Sequence, residues 1–145
     1  TFHFNSDTKE KIQIEDVRNL LGIVDINVVA DFVQFLLENK AGDAVGFLNK
    51  QLQEGSDPHE FAKHIIEYLR HILVLKVNPE LESYLKGAFT TEQRARIAEQ
   101  TKQFEPKILT KTISSFIEAE NKMKYATIVQ LPLELAIVKS CEIGE

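Results

Sequence analysis

Apolar positions recur with a helical period along almost the whole chain. Ile14, Val17, Leu20 and Leu21 fall at i, i+3, i+6 and i+7, and Gly22 follows as a left-handed terminator, so a short helix is expected there. From about Ile26 to Glu38, the residues Val28, Val29, Phe32, Phe35, Leu36 and Leu37 form a broad stripe, with Asp25 placed to cap its start. A break is expected at Ala41-Gly42. Past Asp43, a second stripe of Ala44, Val45, Leu48 and Leu52 runs to Gly55. Two such helices with a short connector should pack as an antiparallel hairpin.

The sharpest start signal is Ser56-Asp57-Pro58-His59-Glu60. Asp57 can cap, Pro58 takes the first helical position, where its missing N–H is harmless, and Glu60 falls three residues after the cap. Phe61, Ile65, Ile66, Leu69, Ile72, Leu73, Val74 and Leu75 then cover much more than one stripe, the pattern of a helix surrounded by others. This central element should end near Asn78-Pro79. A short segment from Leu81 to Leu85 stops at Gly87. Thr90 or Thr91 caps a polar helix from Glu92 to about Gln103, in which Glu92 and Arg96 can pair at i, i+4. Pro106 opens another helix, with Ile108, Leu109, Ile113, Phe116, Ile117 and Met123 as its apolar set and Glu118–Lys122 and Glu120–Lys124 as i, i+4 pairs. Tyr125 to Gln130 reads as a connection. Pro132 begins a last helix carrying Leu133, Leu135, Ala136, Ile137, Val138 and Cys141. Ala126-Thr127-Ile128-Val129 is the one strand-like run, and a lone strand has nothing to pair with. The expected fold is all-α, a compact bundle of about five to six helices around a long central one. Residues 1–12 should be a poorly ordered lead-in and residues 13–145 one helical domain.

Composition narrows the function. At 145 residues, 43% apolar and 27% charged, the chain suits one globular domain with a real core. One cysteine, Cys141, excludes an internal disulfide framework and any CxxC knuckle. No apolar run approaches the roughly 18 residues of a membrane span, and no leader pattern is evident. A net charge of -5 argues against a module that grips nucleic-acid phosphates. The chain begins with Thr1, as expected of a processed form or an excised piece.

Catalytic chemistry is hard to place. Lys111-Thr112 is the sole Lys-Thr and lacks the glycines that cradle phosphates, so nucleotide hydrolysis is not expected of this chain. There is no GxSxG elbow, and Cys141 reads as a small core residue. His64 and His71 share a helix face with Glu67 between them, a grouping that suits zinc or iron. A di-metal bundle needs matching motifs on other helices, and no other helix supplies a histidine. A polar edge of the central helix is the better reading. Catalytic, cofactor-binding and metal residues are therefore assigned to none.

The order of these signals resembles the C-terminal collar (third) domain of the gamma/tau subunit of the bacterial DNA polymerase III clamp loader. The resemblance rests on Ile14-Glu15-Asp16-Val17-Arg18-Asn19-Leu20-Leu21-Gly22, on Gly42-Asp43-Ala44, on Leu52 through Pro58, and on Phe61 with Tyr68 through Lys76. Glu120, Met123-Lys124-Tyr125 and Leu133 through Lys139, with its Leu-Glu-x-Ala pattern, complete it. Two departures are visible: Thr127-Ile128-Val129-Gln130 lacks the family's Pro before a basic residue, and the residues up to Lys11 match little.

The resemblance implies an oligomerisation scaffold, with collar domains of five related subunits packed into a ring that holds AAA-plus ATPase domains. It implies that ATP and zinc belong only to preceding domains, and that residues 1–12 end a preceding lid domain. Expected partners are other clamp-loader subunits (gamma/tau, delta, delta-prime) and accessory replication proteins, in the cytoplasm, with no direct nucleic-acid grip and no membrane. Such a scaffold should carry more apolar helix surface than one domain covers, with the central helix the first place to look; the interface residues stay unknown. Glu134, in the first turn of the last helix, suits either the helix dipole or a contact with another subunit. The alternative is a free-standing helical adaptor that binds a partner helix in a groove.

Overall fold

Every proline opens a helical turn, and the chain's architecture follows from where those turns begin. The computed structural model describes residues 25–143. Among them run α1 (Ile26–Leu37), α2 (Ala41–Gln53), α3 (Pro58–Val77), a 3-10 helix (Pro79–Gly87), α4 (Thr91–Gln103), α5 (Pro106–Met123) and α6 (Leu131–Ile143). The class is all-α as expected, but the described residues hold seven helical elements rather than five to six. The additional one is the 3-10 helix, which contains the short segment expected from Leu81 to Leu85 and ends at Gly87 as read. Pro79 cannot continue α3, yet its fixed φ suits a first helical position, and the Asn78 side chain accepts the Glu80 N–H at 3.2 Å. The predicted helix around Ile14–Leu21 and the lead-in over 1–12 lie outside the described residues.

One turn corrects the sequence reading, and a second bears it out. The break between α1 and α2 falls at residues 38–40, with Ala41 and Gly42 already inside α2. Asn39 takes φ 57°, and the N–H groups of Lys40 and Asn39 return to the carbonyls of Phe35 (2.9 Å) and Leu36 (3.1 Å). The same closure ends α2, with Gly55 at φ 107° and Ser56 and Gly55 bonded to Gln51 (3.0 Å) and Leu52 (3.2 Å). Asparagine tolerates the left-handed conformation better than other side-chain-bearing residues, so it substitutes for glycine in the first turn.

The caps divide similarly. Asp25 accepts the Asn27 N–H at 2.8 Å, and Thr90 forms a reciprocal capping box with Gln93 (3.1 and 3.0 Å). Asp57 precedes Pro58 as expected, yet its carboxylate makes no capping bond. Glu60 turns instead to Lys63 and His64 on its own helix. Arg96 reaches across to Asp31 of α1 at 2.6 Å rather than pairing with Glu92.

The core centres on α3, which packs against α1, α4, α5 and the 3-10 helix. Phe32 of α1 meets the rings of Phe61 of α3 (5.4 Å, 87°) and Phe116 of α5 (6.1 Å, 79°) edge-on. Edge contacts place the positive rim of one ring on the negative face of another, worth about 0.5–1.5 kcal/mol each beyond burial. The most extensive helix pair is α5 with α6, and α6 also rests on α2 and α1.

Candidate interaction surface

Helix α6 is apolar on two opposite sides. Leu133, Ala136, Ile137 and Cys141 are buried in the core, as the reading of Cys141 required. Leu131, Leu135 and Val138 follow at i, i+4 and i+7, within about 60° of arc on the other side, and all three are exposed, Leu135 at 53%. Ile117 of α5 and Tyr125 and Ile128 of the α5–α6 connection are exposed as well, Tyr125 at 90%. A helix in a closed bundle normally hides one stripe and wets the other. Here the outer stripe is as greasy as the inner one.

Charged groups border this strip. Lys122 holds Glu118 at 2.8 Å along α5. That hydrogen bond, with the charges of Lys122 and of Lys139 from α6, keeps the Glu118 carboxyl below its ordinary value. An apolar centre with a charged rim is the usual anatomy of a protein–protein contact.

The helix that carries the strip is tied to α2. Glu134 accepts a hydrogen bond from Asn49 Nδ2 of α2 at 2.9 Å, and the same amide nitrogen also donates to the Val45 carbonyl at 3.0 Å. Glu134 lies in the first turn of α6, where its charge suits the helix dipole, and it also ties that turn to α2, a contact that neither of its two expected roles included.

The central helix is not where the spare surface lies. The apolar residues of α3 are buried or half-buried, apart from Val77 at its end. Its breadth of apolar positions is used up by the four elements that surround it. The strip on α6 was missed, although the run Leu131-Pro132-Leu133-Glu134-Leu135-Ala136-Ile137-Val138, wrapped on a helix, places apolar groups on every side.

The histidines stay apart. His64 faces Glu67 (3.7 Å) and Glu60 (4.0 Å) on the surface of α3. His71 turns its edge to Phe89, with ring centres 5.3 Å apart. Burial pushes the His71 imidazole below its ordinary value, the neighbouring Arg70 adds to this, and Glu67 opposes it. Among the described residues, no group of three or more His, Cys, Asp or Glu is placed to hold a metal ion. No helix of the described residues is long and apolar enough to cross a membrane.

The chain is 27% identical over 131 residues to the DNA polymerase III subunit tau of Bacillus subtilis, covering 90% of this chain and 23% of that protein. It is 27% identical over 122 residues to the DNA polymerase III subunit gamma/tau of Mycobacterium tuberculosis, covering 83% of this chain and 21% of the relative. The chain thus spans about a fifth of the length of these relatives. The family profile described as DNA polymerase III subunits gamma and tau, domain III, matches residues 12–144. With nearly the whole helical region inside that match, the chain belongs to the family of domain III of the DNA polymerase III gamma and tau subunits.

Proposed function

We propose that this chain is the oligomerisation scaffold of a bacterial DNA polymerase III clamp loader. It packs against the matching domains of other clamp-loader subunits, gamma/tau, delta and delta-prime, and so holds AAA-plus ATPase domains in a ring during DNA replication in the cytoplasm. ATP and zinc then belong to other domains of a longer polypeptide, and accessory replication proteins are further partners.

The observation that carries this reading is the outer stripe of α6. Leu131, Leu135 and Val138, continued by Tyr125 and Ile128, present side chains that gain about 1.5–3 kcal/mol each when a large aliphatic group is fully buried. Tyr125 is of the type that anchors protein contacts, with a large apolar body and a polar tip. Family membership favours this scaffold over a free-standing adaptor.

Replacing Leu135 with Asp puts a charge in the middle of the strip without touching the core. The variant should keep its helical circular dichroism and lose co-elution with the partner subunits in size-exclusion chromatography with light scattering. Assembly of Leu135→Asp at the level of the unchanged chain would defeat the reading.

A further inference from the structure

The 3-10 helix is held to the bundle by very little. Of its nine residues Leu85 alone is buried and Leu81 half-buried, and the other seven are exposed. Nine residues are also many for i→i+3 turns, whose poorly aligned hydrogen bonds usually end such runs after about three or four. Among the described residues, no ion pair or side-chain hydrogen bond ties residues 79–87 to α3 or α4.

Grooves undercut this segment on both sides. One, of about 490 Å³, separates it from α3 and is lined by Val74, Leu81, Tyr84 and Leu85. The other, of about 350 Å³, opens towards α4 and is lined by Pro79, Glu82 and Ala98. Leu75 of α3 lines both and is only 6% exposed. The backbone at each end suits a hinge. Asn78 (φ -142°, ψ 90°) and Thr90 (φ -68°, ψ 165°) are extended and continue neither neighbouring helix. A Cβ on Gly87 would meet nothing within 4 Å, so space surrounds the downstream end. Just beyond it, the Phe89 ring rests on His71 of α3 and fixes where the hinge begins.

We propose that residues 79–87 form a strap that opens while the rest of the bundle stays folded. Opening takes Leu81 and Leu85 out of apolar contact and returns backbone freedom to the segment, and the packing of Phe32, Phe61 and Phe116 is untouched. Closed, the strap covers Leu75. Open, the two grooves join into one trough along the end of α3, with Leu75 at its floor and the already exposed Val77 beside it. Helix α6, which packs on α5, α2 and α1, takes no part, so the device stands apart from the scaffold reading.

Thiol labelling of the whole chain tests the strap in a Cys141→Ala background. Leu75→Cys reports opening of the strap, and Ile72→Cys, fully buried one turn earlier on α3, reports unfolding of the bundle. Each alkylation rate with N-ethylmaleimide is divided by that variant's own unfolding constant from urea titration. Leu75→Cys should then react about a hundredfold or more faster than Ile72→Cys. Adding Leu85→Ala should speed the corrected Leu75→Cys reaction about tenfold and leave that of Ile72→Cys unchanged. Hydrogen exchange of the unsubstituted chain gives a second measurement: amides of 81–87 should exchange about a hundredfold or more faster than those of 65–75. Equal corrected rates at the two thiols, or strap amides as protected as those of α3, would overturn the proposal. A fast Leu75→Cys that ignores Leu85→Ala would do so too, because the reagent would then reach the thiol past a closed strap.

Discussion

The Tyr68 hydroxyl donates a hydrogen bond to the side-chain carbonyl of Gln100, joining α3 to α4 inside the core. The Gln100 amide in turn donates to the Ala30 carbonyl and to the Gln34 side chain of α1, each at 3.0 Å. Three helices thus share one buried amide, whose polar atoms all find partners. Burial, above all, raises the Tyr68 hydroxyl well past its usual value, so it stays a neutral donor throughout the physiological range.

Removing that donor leaves the Gln100 carbonyl oxygen buried without its partner. Tyr68→Phe should lower stability by about 1–3 kcal/mol in urea unfolding, with the native fold retained. Loss of no more than a few tenths would mean that water or a shifted Gln100 replaces the hydroxyl.

Phe32 joins α1 to both α3 and α5 through its two edge contacts. Phe32→Ala opens a cavity where three helices meet and should cost about 3–5 kcal/mol, readable as a large fall in thermal midpoint. Phe32→Leu keeps most of the volume and should lose clearly less.

Asn39 sits at φ 57°, where a Cβ is strained but an asparagine is tolerated. Both Asn39→Gly and Asn39→Val remove the asparagine side chain, and only Val adds backbone strain, so Asn39→Val should be less stable than Asn39→Gly by about 1–2 kcal/mol. Denaturant midpoints of the two variants, compared with the parent, check the order.

His71 supplies a pH dependence with a defined sign. Its folded-state value lies below 6.5, so between the two values the unfolded chain binds the extra proton. The contribution is fully present above pH 6.5 and is lost as pH falls from there through the folded value. Unfolding midpoints from pH 8 to pH 5 should therefore decline more steeply for the parent than for His71→Gln. Identical slopes would show that groups other than His71 govern the decline.

Helix periodicity made most of the bundle legible before any coordinates. The Asp25 and Thr90 caps, the Pro106 start and the burial of Cys141 all follow from local rules that need no knowledge of neighbours. Long-range partners were not legible. Arg96 has Glu92 within reach along its own helix, yet Asp31 of α1 offers the contact it makes, and nothing local encodes that. The strip failed for a different reason. Apolar breadth marks both a wrapped helix and one awaiting a neighbour, and only packing separates α3 from α6. Pro79 could be read as a stop, but its second role as a start depends on the Asn78 side chain folding back over the next turn.

Rolling the outer leucines of α6 inward would break the tie between Asn49 and Glu134 and bring the buried Leu133 and Ile137 into water. The isolated chain therefore carries them in water, so its solubility should respond steeply to salting-out ions such as sulfate, which strengthen apolar contact.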